Sequence, residues 1–220
     1  MKYKYLKQDL NWFDKFFRSF TMEVLNVYCK VFYGLKVYGL ENIPQDGSII
    51  FCGNHNTLMD AIFIKTTCTK DMRFLSKAEL KKSKFLSYLG RIMNVIFVNR
   101  DSKDLTAIKE SLSTLKSGNC IGIFPEGTRN GLEKNDGKIK NGASYLALKT
   151  KSQMVPIGII NNGIFRRSYI VYGNPLDLTK YQDGRKIGDQ EEEEVSSMLK
   201  DEIIRLSSPA EVKLLKEKNK

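Results

Sequence analysis

The chain has 220 residues, of which 41% are hydrophobic, enough to bury the core of one domain. Lysine and arginine number 36 against 25 acids, and the formal charge of +11 favours a polyanionic partner: nucleic acid, an anionic lipid surface or a phosphorylated substrate. Cys29, Cys52, Cys68 and Cys120 show no Cys-x-x-Cys spacing and His55 is the single histidine, so a Cys/His zinc site is excluded and the thiols are expected to be reduced.

The first residues, Met1-Lys2-Tyr3-Lys4, lead into no apolar signal segment, and no run of about 18 apolar residues occurs, so no spanning helix is expected. The expected location is cytosolic, free or peripherally bound. Phe13, Phe16, Phe17, Phe20, Val24, Val27, Tyr28 and Val31 then recur at offsets of three, four and seven, the spacing of one helix face. That stripe has two destinations, the protein's own core or the plane of a membrane interface. Four phenylalanines beside Trp12, with Lys7, Lys15 and Arg18 nearby, suit the second as well as the first.

Beyond this N-terminal amphipathic segment (1–33), β-prone runs at 35–38, 48–52, 73–75, 94–98, 120–124, 155–160 and 169–172 alternate with helical stretches. The helices are expected at about 58–66, 77–89, 103–116, 142–149 and 192–206. The pattern predicts a single α/β domain over 34–206 with a central mixed, largely parallel sheet flanked by helices. Residues 207–220 read as a charged helix or tail, and the acids 191–194 as a solvated first helical turn.

The buried-strand pattern at 48–52 delivers the chain to Gly53-Asn54-His55-Asn56-Thr57-Leu58-Met59-Asp60, at a strand's carboxyl end, where open α/β sheets bind ligands. On one continuous helix, residues five apart diverge by about 140°. With Thr57 as N-cap, His55 lies outside the helix and the Asp60 carboxylate can reach back to one imidazole nitrogen, leaving the other as a general base. The competing reading makes Thr57 and Asp60 a plain helix cap and His55 a solvated loop residue.

Two further strands end in the same manner. The run 120–124 breaks into Pro125-Glu126-Gly127-Thr128-Arg129, where Gly127 permits close backbone approach, Thr128 offers a hydroxyl and Arg129 a guanidinium fork suited to phosphate. The run 94–98 leads through Asn99 to Arg100. A base and two guanidiniums at three strand ends suit an alcohol that also carries a phosphate.

In order, Asn54-His55-x-Thr57-x-x-Asp60, Gly90 through Phe97-Val98-x-Arg100, Phe124-Pro125-Glu126-Gly127-Thr128-Arg129 and Val155-Pro156-Ile157 resemble the four blocks of the glycerolipid acyltransferases, and most the 1-acylglycerol-3-phosphate acyltransferases. Phe74-Leu75-x-Lys77-x-Glu79-Leu80 and Lys140-x-Gly142-Ala143 are similar to family positions as well, so the resemblance covers roughly 34–175. Thr57 stands where many members have Ser, and Asn99 where an acid is frequent.

The resemblance implies transfer of a fatty acyl group from acyl-CoA or acyl carrier protein to the sn-2 hydroxyl of 1-acylglycerol 3-phosphate, giving phosphatidic acid for phospholipid biosynthesis. It makes His55 the base and Asp60 its partner, with Arg100 and Arg129 on the phosphate. Gly127 and Thr128 then shape the pocket, and Glu126 orients substrate or arginine. Lys77 is either a phosphate contact or an exposed lysine. No metal or cofactor is implied. The expected partners are the lysophospholipid, the acyl thioester and an anionic membrane surface, on whose cytoplasmic face the protein would sit peripherally. Other acceptors, glycerol 3-phosphate or another lysophospholipid, remain alternatives. A non-catalytic nucleic-acid-binding domain is the rival from another class, and its usual helix-turn-helix, zinc-finger and RNA-binding signatures do not occur.

Overall fold

The computed structural model describes residues 10–99, 104–130, 132, 138–181 and 187–218. Seven strands are present among them: β1 (Lys36–Tyr38), β2 (Ile49–Gly53), β3 (Met72–Lys77), β4 (Ile96–Val98), β5 (Cys120–Ile123), β6 (Gln153–Ile160) and β7 (Tyr169–Tyr172). They form one sheet in the order β1-β7-β6-β2-β5-β3-β4. Strands β6, β2, β5, β3 and β4 are mutually parallel; β7 runs antiparallel to β6, and β1 parallel to β7. The mixed, largely parallel α/β sheet is the one the sequence predicts.

Every residue of β2 is buried, as a strand covered on both faces requires. Its alternate side chains feed opposite layers. Ile49 and Phe51 join Phe63, Ile64, Met72 and Ile157 under α2 (Met59–Thr67), while Ile50 and Cys52 join Leu115, Ile121, Leu146 and Leu199. The second layer is closed by α4 (Leu105–Lys116), α5 (Gly142–Thr150) and α6 (Asp189–Leu206).

The expected helix at 77–89 is a correction. Strand β3 runs on to Lys77 because its first half pairs with β5 and its second half with β4. A 3-10 turn (Ala78–Lys82) follows, and α3 (Lys84–Ile92) starts only after Ser83, whose hydroxyl accepts from Leu86 N at 3.4 Å. Helix α6 begins earlier than expected, with Glu191 reaching back to Gly188 N at 2.8 Å, and 209 onwards forms α7 (Pro209–Lys218).

The N-terminal helix α1 (Trp12–Phe32) is seated by charge. Asp14 and Arg18 are among its buried residues. Arg18 donates to Asp71 at 2.6 Å, Lys65 reaches the same carboxylate at 3.1 Å, and Asp14 takes Tyr88 Oη and Arg91 at 2.9 Å each. Trp12, Phe13, Phe16, Phe20, Val24, Val27 and Val31 face outward, Trp12 being 78% and Phe16 63% exposed. Of the expected stripe, Phe17 and Tyr28 are partly buried, against Tyr88 and Tyr33 respectively.

Candidate active site

The sheet order sets the site. Strands β2, β5 and β3 are adjacent and parallel, so the segments that follow them emerge along one edge. Cys52 stands opposite Ile123 in the β2–β5 register. Three residues further on, His55 N donates to Glu126 Oε1 at 2.8 Å, and His55 O accepts from Asn130 N at 2.6 Å. The first and third sequence blocks are thereby stitched together through backbone groups of the histidine itself.

On the other flank of β2 the stitch is Asn54, which is buried. Its Nδ2 donates to Ile159 O at 2.9 Å and its Oδ1 accepts from Ile159 N at 2.7 Å. The side-chain amide thus satisfies the backbone of β6 just where the β2–β6 ladder ends at Gly53 and Ile157. The loop that carries His55 is held on both sides without any regular strand pairing of its own.

Asp60 lies in the first turn of α2 and is 1% exposed. Its Oδ2 accepts from Asn56 N and Thr57 N at 2.7 Å each and lies 3.2 Å from His55 Nδ1; its Oδ1 accepts from Thr57 Oγ1 at 2.8 Å. A carboxylate whose partners are backbone N–H groups acts as acceptor, so the ring donates to it from Nδ1, and in the neutral imidazole the lone pair is then on Nε2. The imidazole lies flat on Phe124, with centroids 4.1 Å apart and planes 14° from parallel, and Phe74 extends that shelf. The imidazole is therefore held in one orientation by Asp60 and the Phe124 ring. Thr57, the N-cap expected from the sequence, is not the cap: the helix begins at Met59 with Leu58 before it, and Thr57 Oγ1 instead accepts from Met59 N at 3.2 Å and donates to Asp60 Oδ1.

The remaining residues singled out from the sequence divide. Glu126, expected to orient substrate or arginine, is buried: beside His55 N it takes Leu132 N at 3.1 Å. Gly127 has φ +70°, and the aliphatic stem of Lys140 crosses it so closely that a Cβ would stand 2.7 Å away. Thr128 and Arg129 are exposed at the rim, one strand end from His55. Lys77, at the end of β3, is half exposed and pairs with Glu79 at 3.0 Å. Arg100 lies outside the described residues. Gly90 and Phe97 explain the second block, since a Cβ on Gly90 would meet the Phe97 ring at 2.4 Å as α3 lies on β4.

Sequence reasoning missed Asn161, whose Nδ2 donates to Thr57 Oγ1 at 2.9 Å, and the roles of Asn54, Phe124 and Asn130. Asn54 and Phe124 fall within the quoted blocks and could have been found there; Asn161 follows β6, with no local signal. The cysteines are free and buried, and burial pushes the Cys52 thiol, three residues before His55, far up, which suits a core side chain and not a nucleophile.

A family model for acyltransferases matches residues 34–160, more than half of the chain. The chain is similar to a 1-acyl-sn-glycerol-3-phosphate acyltransferase of Borreliella burgdorferi, 32% identical over 181 residues, covering 78% of this chain and 72% of the relative. A Bacillus subtilis protein of the same name is 29% identical over 139 residues, covering 63% and 68%. In three dimensions the chain is similar to the 1-acyl-sn-glycerophosphate (LPA) acyltransferase PlsC of Thermotoga maritima, with a TM-score of 0.62, 25% identity, and coverage of 90% of this chain and 85% of that one.

Proposed function

Since the chain belongs to the acyltransferase family, we propose that it moves a fatty acyl group from a thioester, acyl-CoA or acyl carrier protein, to the sn-2 hydroxyl of 1-acylglycerol 3-phosphate. The product is phosphatidic acid. The observation that carries the mechanism is the 3.2 Å contact of His55 Nδ1 with an Asp60 carboxylate already fixed by two backbone N–H groups and a hydroxyl. Nε2 takes the proton of the acceptor hydroxyl as its oxygen attacks the thioester carbonyl, and Asp60 stabilises the imidazolium that forms. Collapse of the tetrahedral intermediate breaks the C–S bond, and the departing thiolate takes that proton back. Arg129 and Lys77, both exposed, are candidates for the acceptor phosphate; Arg100 is a candidate from the sequence alone.

The same reading assigns α1 to an anionic membrane surface. Both substrates are amphiphiles, and the helix turns Trp12, Phe13, Phe16 and Phe20 outward while Asp14 and Arg18 make their ion pairs on the inner face. Among the described residues no helix is long and apolar enough to cross a membrane.

Thioester-dependent acylation of lysophosphatidic acid by His55→Ala is expected to fall by about 10²–10⁴-fold, the usual contribution of a general base. Full activity in that variant would sink the mechanism. In an acceptor panel the terminal phosphate should matter; equal rates without it would remove Arg129 and Lys77 from the ligand set.

A further inference from the structure

The hairpin joining β6 to β7 ends in Gly163-Ile164-Phe165-Arg166-Arg167, and the last four of these are exposed. None of the proposed chemistry uses their side chains. Phe165 is 81% exposed and has φ +60°, the left-handed region that bulky aromatics rarely adopt. The turn is nevertheless well held. Phe165 N donates to Phe32 O at 2.6 Å, Asn162 Nδ2 to Arg167 O at 2.7 Å, and Asn162 N to Ser168 Oγ at 3.2 Å. A strained backbone that holds a phenyl in water, beside an isoleucine that is 49% exposed, gains little inside the molecule beyond its contact with Phe32 and implies a contact outside it.

Position says what that contact is. The Phe165 ring lies 5.7 Å from that of Phe32, so the outward stripe of α1 continues through Val31 and Phe32 onto the hairpin tip. At the hairpin base, Asn161 Oδ1 accepts from Gly163 N at 3.0 Å. An N–H can only donate, which fixes the amide orientation: Nδ2 must face Thr57 Oγ1, and the Thr57 hydroxyl directs its own proton at Asp60 Oδ1. The tip is thus one short hydrogen-bonded chain away from the His55–Asp60 pair.

We infer that the β6–β7 tip is a second membrane-contacting element, in which Ile164 and Phe165 enter the apolar boundary of an anionic bilayer while Arg166 and Arg167 hold its headgroups. The inference rests on the proposed docking of α1 and extends it: the bilayer is met along a line from Trp12 to Phe165, ending beside the catalytic loop. Aromatic and arginine side chains in one exposed turn, on a chain of charge +11, suit a lipid interface on both counts.

Trp12 is the only tryptophan, which allows the two elements to be read separately. In the full chain, Trp12 reports on α1; in a Trp12→Phe, Phe165→Trp variant the sole indole is at the tip. With vesicles of phosphatidylglycerol and phosphatidylcholine, both indoles should shift to the blue and be quenched by brominated acyl chains. A tip indole that keeps its aqueous emission while Trp12 shifts overturns the inference and leaves the docking of α1 standing; failure of both overturns both. Arg166→Gln with Arg167→Gln should weaken partition to these vesicles by about tenfold or more and leave pure phosphatidylcholine unaffected. An unchanged preference for anionic vesicles overturns the headgroup role. Acylation of a short-chain acceptor dispersed as monomers should be unchanged in the arginine variant, and its loss would mean that the tip serves the catalytic loop instead of a bilayer.

Discussion

Helices α1 and α6 are the two longest described, 21 and 18 residues, and they use the same periodicity in opposite senses. Helix α6 buries Val195, Leu199, Ile203 and Leu206 and leaves most of its acids in water. Helix α1 buries Asp14 and Arg18 together with Met22 and Cys29 and leaves Phe13, Phe16 and Phe20 in water. The inward polar face of α1 works because its charges meet fixed partners: Asp71 bridges Arg18 and Lys65, and Asp14 is shared by Tyr88 and Arg91. Burial pushes the Lys65 ammonium down from its ordinary value, and the Asp71 carboxylate opposes that shift. A stripe of apolar residues therefore marks a face that avoids water, and only the contacts of the opposite face reveal whether the shelter is the core or another phase.

The comparison can be broken at several points. The largest effect is expected from Asp71→Ala, which removes the carboxylate that Arg18 and Lys65 share and should lower unfolding stability by about 3–5 kcal/mol in urea titrations. A neutral result would mean that α1 is not seated by its charges. Leu199→Ala, at a fully buried position of α6, should cost about 2–5 kcal/mol by the same measurement. The double variant Phe16→Ser, Phe20→Ser, by contrast, should change stability in solution by no more than about 0.5 kcal/mol. Its effect should appear in vesicle sedimentation, as a loss of about tenfold or more in partition to anionic bilayers. Should the serine variant unfold as readily as Leu199→Ala, the outward face of α1 belongs to the core after all.

The candidate site shows the same division between what is local and what is not. The five-residue spacing of His55 and Asp60 is local, and it predicts their contact because the strand-to-helix turn lies between them. Glu126 is 71 residues from His55, and its carboxylate reads from sequence as an orienting partner for substrate or arginine. In the fold it meets a backbone N–H, because β5 happens to be the neighbour of β2. The hairpin base is similar: Asn161 lies 104 residues from Thr57 and gains its role only through the β2–β6 pairing.

What the sequence determined by itself was the set of elements and the pairs within one turn of the chain. All seven strands were legible as short apolar runs bounded by turn residues, and so was the His55–Asp60 contact, since both depend on nearest-neighbour geometry. The order β7-β6-β2-β5-β3, the scaffold role of Glu126, the clamp by Asn54 and the direction in which α1 points were decided by tertiary structure. Periodicity records which residues share a face; what that face meets depends on pairings between segments far apart in the chain, and no local pattern encodes them.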